Sequence, residues 1–295
     1  MGSIEAAKQI ALNNVLYVTD FSEPAEAALP FVSAIARGYG SKIYAAHIVL
    51  PDVYSSMAPE FSNVVNEGLE ERAKAKMQRI AVRLTGLPHQ TIVEWGPGVW
   101  PTLQRVMHRN NIDLVVLGTH GRTGVQRFLL GSVAEEILRH SKVPVLTIGP
   151  AVCDAQPRES FKRVLFATDF TPESLAGLAY AVLMARENHA RLILLHVIRQ
   201  FKKEEILGEL SATEAISHLE QMLPEDAKVL CRPELMVRYG EPAEHIIEVA
   251  RRCGADLIVL GVRNGDRLGI ATHLERTIAH DVVVSASCPV LTVRG

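Results

Sequence analysis

The chain repeats itself. Residues Val15 to Val49 read VLYVTDFSEPAEAALPFVSAIARGYGSKIYAAHIV, and residues Val164 to Ile198 read VLFATDFTPESLAGLAYAVLMARENHARLILLHVI. The two align without a gap, with Thr19-Asp20-Phe21 on Thr168-Asp169-Phe170 and His47 on His196. Further on, VEWG (Val93 to Gly96) matches VRYG (Val237 to Gly240), and IDLVVLG (Ile112 to Gly118) matches ADLIVLG (Ala255 to Gly261). VPVLTI (Val143 to Ile148) then matches CPVLTV (Cys288 to Val293). Matches in the same order along the chain imply a duplicated domain, and the period is far longer than that of a solenoid repeat. With 295 residues there is room for two ordinary domains. The expected division is 1–150, a short polar linker at 151–160 that carries a proline, and 161–295.

Each copy alternates strand and helix. In the first, strands are expected at 14–19, 42–49, 90–94, 114–117 and 143–148. Helices are expected at 23–39, behind an N-cap at Ser22, and at 61–85, 99–110 and 132–140. Such alternation builds a parallel sheet with helices on both faces. Ligands of such sheets bind at the carboxyl ends of the strands, where the strand order reverses. That rule singles out Thr19-Asp20, His47-Ile48 and Leu117-Gly118.

The bulk properties narrow the functional classes. A hydrophobic fraction of 48% with 22% charged residues is a globular mix, not that of a disordered chain. A net charge of −2 gives no overall attraction to nucleic acid, so no nucleic-acid partner is expected. The cysteines, Cys153, Cys231, Cys253 and Cys288, show no zinc spacing. No apolar run reaches the roughly 20 residues of a membrane span, and MGSIEAAKQIALNN lacks the pattern of a secretory signal. A cytoplasmic protein without a membrane partner is expected.

The chemistry is concentrated after the fourth strand, in GTHGRTGVQRFLLGSVAEE, Gly118 to Glu136. Gly118 ends a buried strand, where a missing Cβ leaves room for a ribose or phosphate. Gly121 permits a tight turn. Gly131 and Ser132 open a helix whose first amides lack internal partners, an arrangement suited to anions. Arg122 and Arg127 lie in the same loop, where they can neutralise phosphate charge. The same glycines would also suit a plain chain turn, with Ser132 as an ordinary N-cap. Their position between a buried strand and a helix favours nucleotide binding.

The pattern G-x2-G-x9-G-S after a fourth parallel strand, with the early Thr-Asp and the PVLTI ending, resembles the ATP-binding signature of universal stress proteins. The resemblance runs over nearly the whole chain, twice. It implies an α/β fold of two tandem Rossmann-like or flavodoxin-like domains, each a five-stranded parallel sheet flanked by helices, paired as an intrachain pseudo-dimer. It also assigns roles. Val18, Thr19 and Asp20 would border the adenosine, and Ile48 would offer backbone contacts to adenine. Leu117 and Gly118 would pack on ribose and base, while Gly121, Gly131, Ser132 and Val133 would hold the phosphates of ATP, with Mg2+ accompanying them. Ala134 stands where the family often has a hydroxyl residue.

Some residues keep two readings. Asp20 suits either a ligand contact or an Asx turn. His47 and His196 suit satisfied core residues as well as a chemical role, and His120 lies in the loop itself. In the second copy the loop reads GVRNGDRLGIATHLERTIAHDV, with Asn264 at the second glycine position and Leu274 to Thr277 near the expected Gly-Ser. Glu275 would repel a phosphate, so little or no ATP binding is expected there. There is no P-loop lysine motif, no G-x-G-x-x-G after the first strand and no nucleophile elbow. The expected function is ATP binding in a regulatory stress response, with slow hydrolysis at most and no assigned catalytic residue. The alternatives are a module that binds protein partners or pairs as a homodimer, and an enzyme acting on an adenine nucleotide.

Overall fold

The computed structural model of the chain describes residues 10–51, 59–119, 130–153, 160–199, 211–262 and 277–295, with backbone alone at 59–65 and 153. Two compact units emerge, Ala11–Val145 and Leu146–Gly295, the latter including Ile10.

The first unit runs β1 (Asn14–Val18), α1 (Glu23–Tyr39), β2 (Lys42–Val49), α2 (Pro59–Arg83), β3 (His89–Trp95), α3 (Val99–Arg109), β4 (Leu114–Gly118) and α4 (Ser132–His140). Its strands lie in the order β3-β2-β1-β4, and every pair is parallel. Val15, Leu16 and Tyr17 of β1 and Leu114, Val115 and Val116 of β4 are fully buried, because helices cover both faces of these central strands.

On one face, Leu16, Val18, Tyr44, Ile48, Ile92 and Leu117 form a single core with Leu103 and Val106 of α3 and Ala134 and Ile137 of α4. Each large aliphatic side chain buried there stabilises the unit by about 1.5–3 kcal/mol relative to exposure. On the other face the Tyr17 hydroxyl donates to the Ala25 carbonyl in α1, 2.7 Å away. Helix α1 starts where Ser22 accepts the Ala25 amide and stops at Gly40, whose φ of 69° is left-handed and free of Cβ strain.

In the second unit the tail of β5 (Val145–Ile148) leads through α5 (Pro150–Cys153) to β6 (Arg163–Thr168), α6 (Pro172–Glu187), β7 (Arg191–Ile198), α7 (Ala212–Gln221) and α8 (Glu225–Leu230). β8 (Glu234–Tyr239), α9 (Pro242–Cys253), β9 (Leu257–Val262), α10 (Ile278–Ser285) and β10 (Val290–Arg294) complete it. The order is β5-β10-β9-β6-β7-β8. Beside β10, the Thr147 hydroxyl of β5 donates to the Val290 carbonyl at 3.1 Å. The copy's own five strands thus follow the order 3-2-1-4-5, that of a Rossmann-type sheet without its sixth strand, with the reversal between β6 and β9.

Two features depart from the sequence reading. Pro150–Cys153, around the start of the expected linker, forms a helical turn. Among its described residues, the β7–β8 connection holds two short helices where the first copy has the long α2, because Pro224 disfavours helix at Leu223 and becomes the N-cap of α8. The repeated aspartate of IDLVVLG and ADLIVLG acts at the opposite, amino edge of each sheet. Asp113 accepts the Asn13 and Asn14 amides at 2.9 Å, and Asp256 accepts those of Lys162 and Arg163 at 2.7 and 3.0 Å.

Candidate functional site

At the carboxyl end of β1 the chain makes a tight corner before α1. The Thr19 amide donates to the Ala46 carbonyl at 3.0 Å, which extends the β1–β2 pairing by one residue. The Thr19 hydroxyl then accepts the Phe21 amide at 3.0 Å, and Asp20 Oδ1 accepts the Ser22 amide at 2.9 Å. Asp20 is therefore an Asx-turn residue, and one carboxylate oxygen is committed to the corner. Phe21 sits at φ 64°, a conformation a bulky residue adopts only when its surroundings hold it there.

Side chains of β2 and α2 hold it there. The Phe21 ring lies 4.3 Å from the His47 ring, and Lys76 Nζ of α2 stands 5.1 Å above it. His47 Nδ1 lies 2.8 Å from the Thr19 carbonyl. A carbonyl only accepts, so Nδ1 carries the proton. The second copy repeats the device: Phe170 at φ 62°, 4.3 Å from His196, whose Nδ1 donates to the Thr168 carbonyl at 2.8 Å. There His218 replaces the lysine, edge-on to Phe170 at 5.5 Å. Burial pushes the His196 imidazole below its ordinary pKa, with the Thr168 hydrogen bond and Asp169 opposing that shift. The two histidines are satisfied at their strand ends, and they brace the corner. Sequence reading missed the role of the phenylalanines, although their recurrence in both Thr-Asp-Phe triplets was the signal.

Gly118 has a packing reason of its own. A Cβ built there would lie 2.4 Å from the Pro24 carbonyl oxygen, so the first turn of α1 closes against this side of the strand end. Gly261 repeats this, with a Cβ 2.3 Å from Ser174 Cα. Both glycines let a helix start pack against a strand end.

The predicted phosphate residues lie at the start of α4. The Gly131 amide donates to the Thr119 carbonyl at 2.8 Å, which ties the helix start to the end of β4. Gly131, not Ser132, is the N-cap, in extended backbone and without a side-chain cap. Ser132 is the first helical residue and is exposed, while Val133 packs against the core cluster. The first helical bond runs from the Glu135 amide to the Gly131 carbonyl at 2.8 Å. The amides of Ser132, Val133 and Ala134 precede that bond and so lack an acceptor within the helix.

Val18 and Leu117 are direct partners across β1 and β4, and both, like Ile48, are buried in the core cluster. Val18, Thr19, Asp20, Ile48, Leu117, Gly118, Gly131, Ser132 and Val133 thus gather around the carboxyl ends of β1, β2 and β4. Gly121, Arg122, Arg127 and His120 lie outside the described residues. Among the described residues, no three His, Cys, Asp or Glu side chains assemble as a metal site.

The second copy differs at the matching helix. Thr277 is the N-cap of α10, and its hydroxyl accepts the His280 amide at 3.2 Å. Asp281 adds a carboxylate in the first turn. Asn264, Gly265, Leu274 and Glu275 lie outside the described residues.

The Universal stress protein family profile matches this sequence at residues 12–149 and again at 160–294. A universal stress protein of Mycolicibacterium smegmatis is 25% identical over 294 residues, covering 95% of this chain and 96% of its own. Universal stress protein MJ0577 of Methanocaldococcus jannaschii is 28% identical over 166 residues, covering 47% of this chain and 96% of its own. Among solved structures, a universal stress protein from Archaeoglobus fulgidus superposes with a TM-score of 0.72 at 20% identity, covering 96% of this chain and 98% of its own. That last likeness is one of fold. No helix among the described residues is long and apolar enough to cross a membrane. With the profile matched twice over nearly its full length, the chain belongs to the universal stress protein family.

Proposed function

We propose that the chain binds one adenine nucleotide, ATP with Mg2+, at the first copy, and that it serves as a nucleotide-responsive regulatory protein more than as a catalyst. The observation that carries this reading is the contrast between the two helix starts. α4 opens on Gly131 without a side-chain cap, whereas α10 is closed by the Thr277 hydroxyl and carries Asp281 beside it. An uncapped helix start offers amides and a positive dipole end to phosphate; a self-capped one has already used an amide and adds negative charge.

In this reading the Ser132 and Val133 amides and the Ser132 hydroxyl hold phosphates, joined by Gly121, Arg122 and Arg127. Thr19, Asp20 and the edge of Ile48 border the adenosine. Leu117 and Val18 act as the apolar floor. Mg2+ arrives on the phosphates of ATP. The residues assigned here are binding donors, and none is placed as a base for an attacking water, so hydrolysis is slow.

Thermal unfolding with and without Mg2+–ATP tests the reading. A ligand at 100 times its Kd stabilises the folded state by about 2.7 kcal/mol, and Tm should rise accordingly in wild type. In Gly131→Glu, which sets a carboxylate at the helix start, the rise should vanish. An equal rise in both proteins would sink the assignment of the phosphates to α4. A rise with AMP as large as with ATP would place the affinity in the nucleoside, not the phosphate chain.

A further inference from the structure

We propose that β8 is a contact through which two copies of this chain pair, antiparallel, about a two-fold axis at Met236. β8 ends the strand order and has β7 as its neighbour on one side. The Gly240 amide donates to the Ile198 carbonyl at 2.9 Å, and this sets the alternation along the strand. The backbone groups of Glu234, Met236 and Arg238 turn toward β7, and those of Leu235, Val237 and Tyr239 turn outward. Every residue of β8 is at least partly exposed, and Tyr239 is 49% exposed.

Among the described residues, β8 carries neither of two common edge guards, proline and lysine, and its sequence, ELMVRY, has apolar residues at its centre. β3, in the matching position of the first copy, is blunted. There Thr91 replaces Leu235, Trp95 donates to Glu70 of α2 at 2.9 Å, and Glu94 is engaged by Arg109.

The charges of β8 select a second copy of the same strand as the occupant. Antiparallel pairing centred on Met236 sets Glu234 opposite the partner's Arg238, and repeats that pair on the other side of the axis. Leu235 meets Val237, and Met236 meets itself. Opposite charges directly across an antiparallel pair are favourable, and the two-fold closes the assembly at a dimer. Glu234 already receives Arg191 on Oε2 at 2.8 Å, and a carboxylate can accept a second guanidinium on its other oxygen. In the unpaired chain Arg238 Nη1 covers the outward Val237 carbonyl at 2.9 Å. Pairing exchanges that bond for a backbone one and frees the guanidinium for the partner's Glu234. A six-residue contact is small, so the dimer is weak and reversible.

Sedimentation velocity on the full chain, over a dilution series up to the highest concentration that stays in solution, gives the test. Wild type should shift from monomer to dimer. Arg238→Glu and Glu234→Arg should each stay monomeric, since each sets like charges across the axis, and circular dichroism should find both folded. Their equimolar mixture should regain the dimer, because only the mixed pair restores both ion pairs. Met236→Lys, at the axis, should also stay monomeric. A wild type that remains monomeric, a dimer that persists in Arg238→Glu, or a mixture that stays monomeric would each overturn the proposal.

Discussion

Tyr17 shows how one side chain ties the strand to the helix that frames the site. Burial pushes its hydroxyl up to about 12 while it donates to Ala25. The folded chain thus keeps this proton where an unfolded one, titrating near 10, has lost it. Stability from this group is fully present below about pH 10 and falls between about pH 10 and 12. An ultraviolet titration of wild type against Tyr17→Phe should lose only its last, highest step, and a lower step lost instead would contradict the burial. Gly118 tests the corner from the other side. With Pro24 2.4 Å from the missing Cβ, Gly118→Ala should cost about 1–3 kcal/mol by denaturant titration. A neutral result would mean that α1 does not hold that approach. The sequence marked Gly118 as special without showing that the start of α1 lies against it. A strand-end glycine is visible in one dimension; the helix start that comes to lie on it is a tertiary fact. The phenylalanine of each Thr-Asp-Phe triplet was marked by its recurrence, but its left-handed backbone and its stacking on the histidine are tertiary facts.

At the scale of elements, caps and periodicity were readable because they are local. Ser22 and Gly40 bound α1 where the expected N-cap and helix end lay, and α4 spans the expected residues. The cap of α4 moved by one position to Gly131, which a glycine next to a serine leaves ambiguous until backbone angles are known. The contrasting cap of α10 predicts a purely structural role for Thr277. Thr277→Ala should lower stability by about 1 kcal/mol, read as a lower denaturation midpoint, with nucleotide affinity of the first copy unchanged. A matching loss of affinity would show that the second copy takes part in binding. The split of the β7–β8 connection into α7 and α8 follows from Pro224, a signal present in the sequence that the repeat alignment passed over.

At the scale of the molecule, duplication gave the architecture and divergence gave the asymmetry. Both copies keep the corner built from threonine, phenylalanine and histidine, so that corner is part of the fold itself. They part at the helix starts, where one is open and one is self-capped. They part again at their third strands, one blunted by polar contacts and the other apolar and self-complementary in charge. Edge behaviour was not legible beforehand, because strand order decides which segment becomes an edge. If α4 is the single phosphate-binding start of the chain, calorimetric titration of Mg2+–ATP into nucleotide-stripped protein should give a stoichiometry near one per chain, abolished in Gly131→Glu. Two sites per chain, or one site that survives Gly131→Glu, would contradict it.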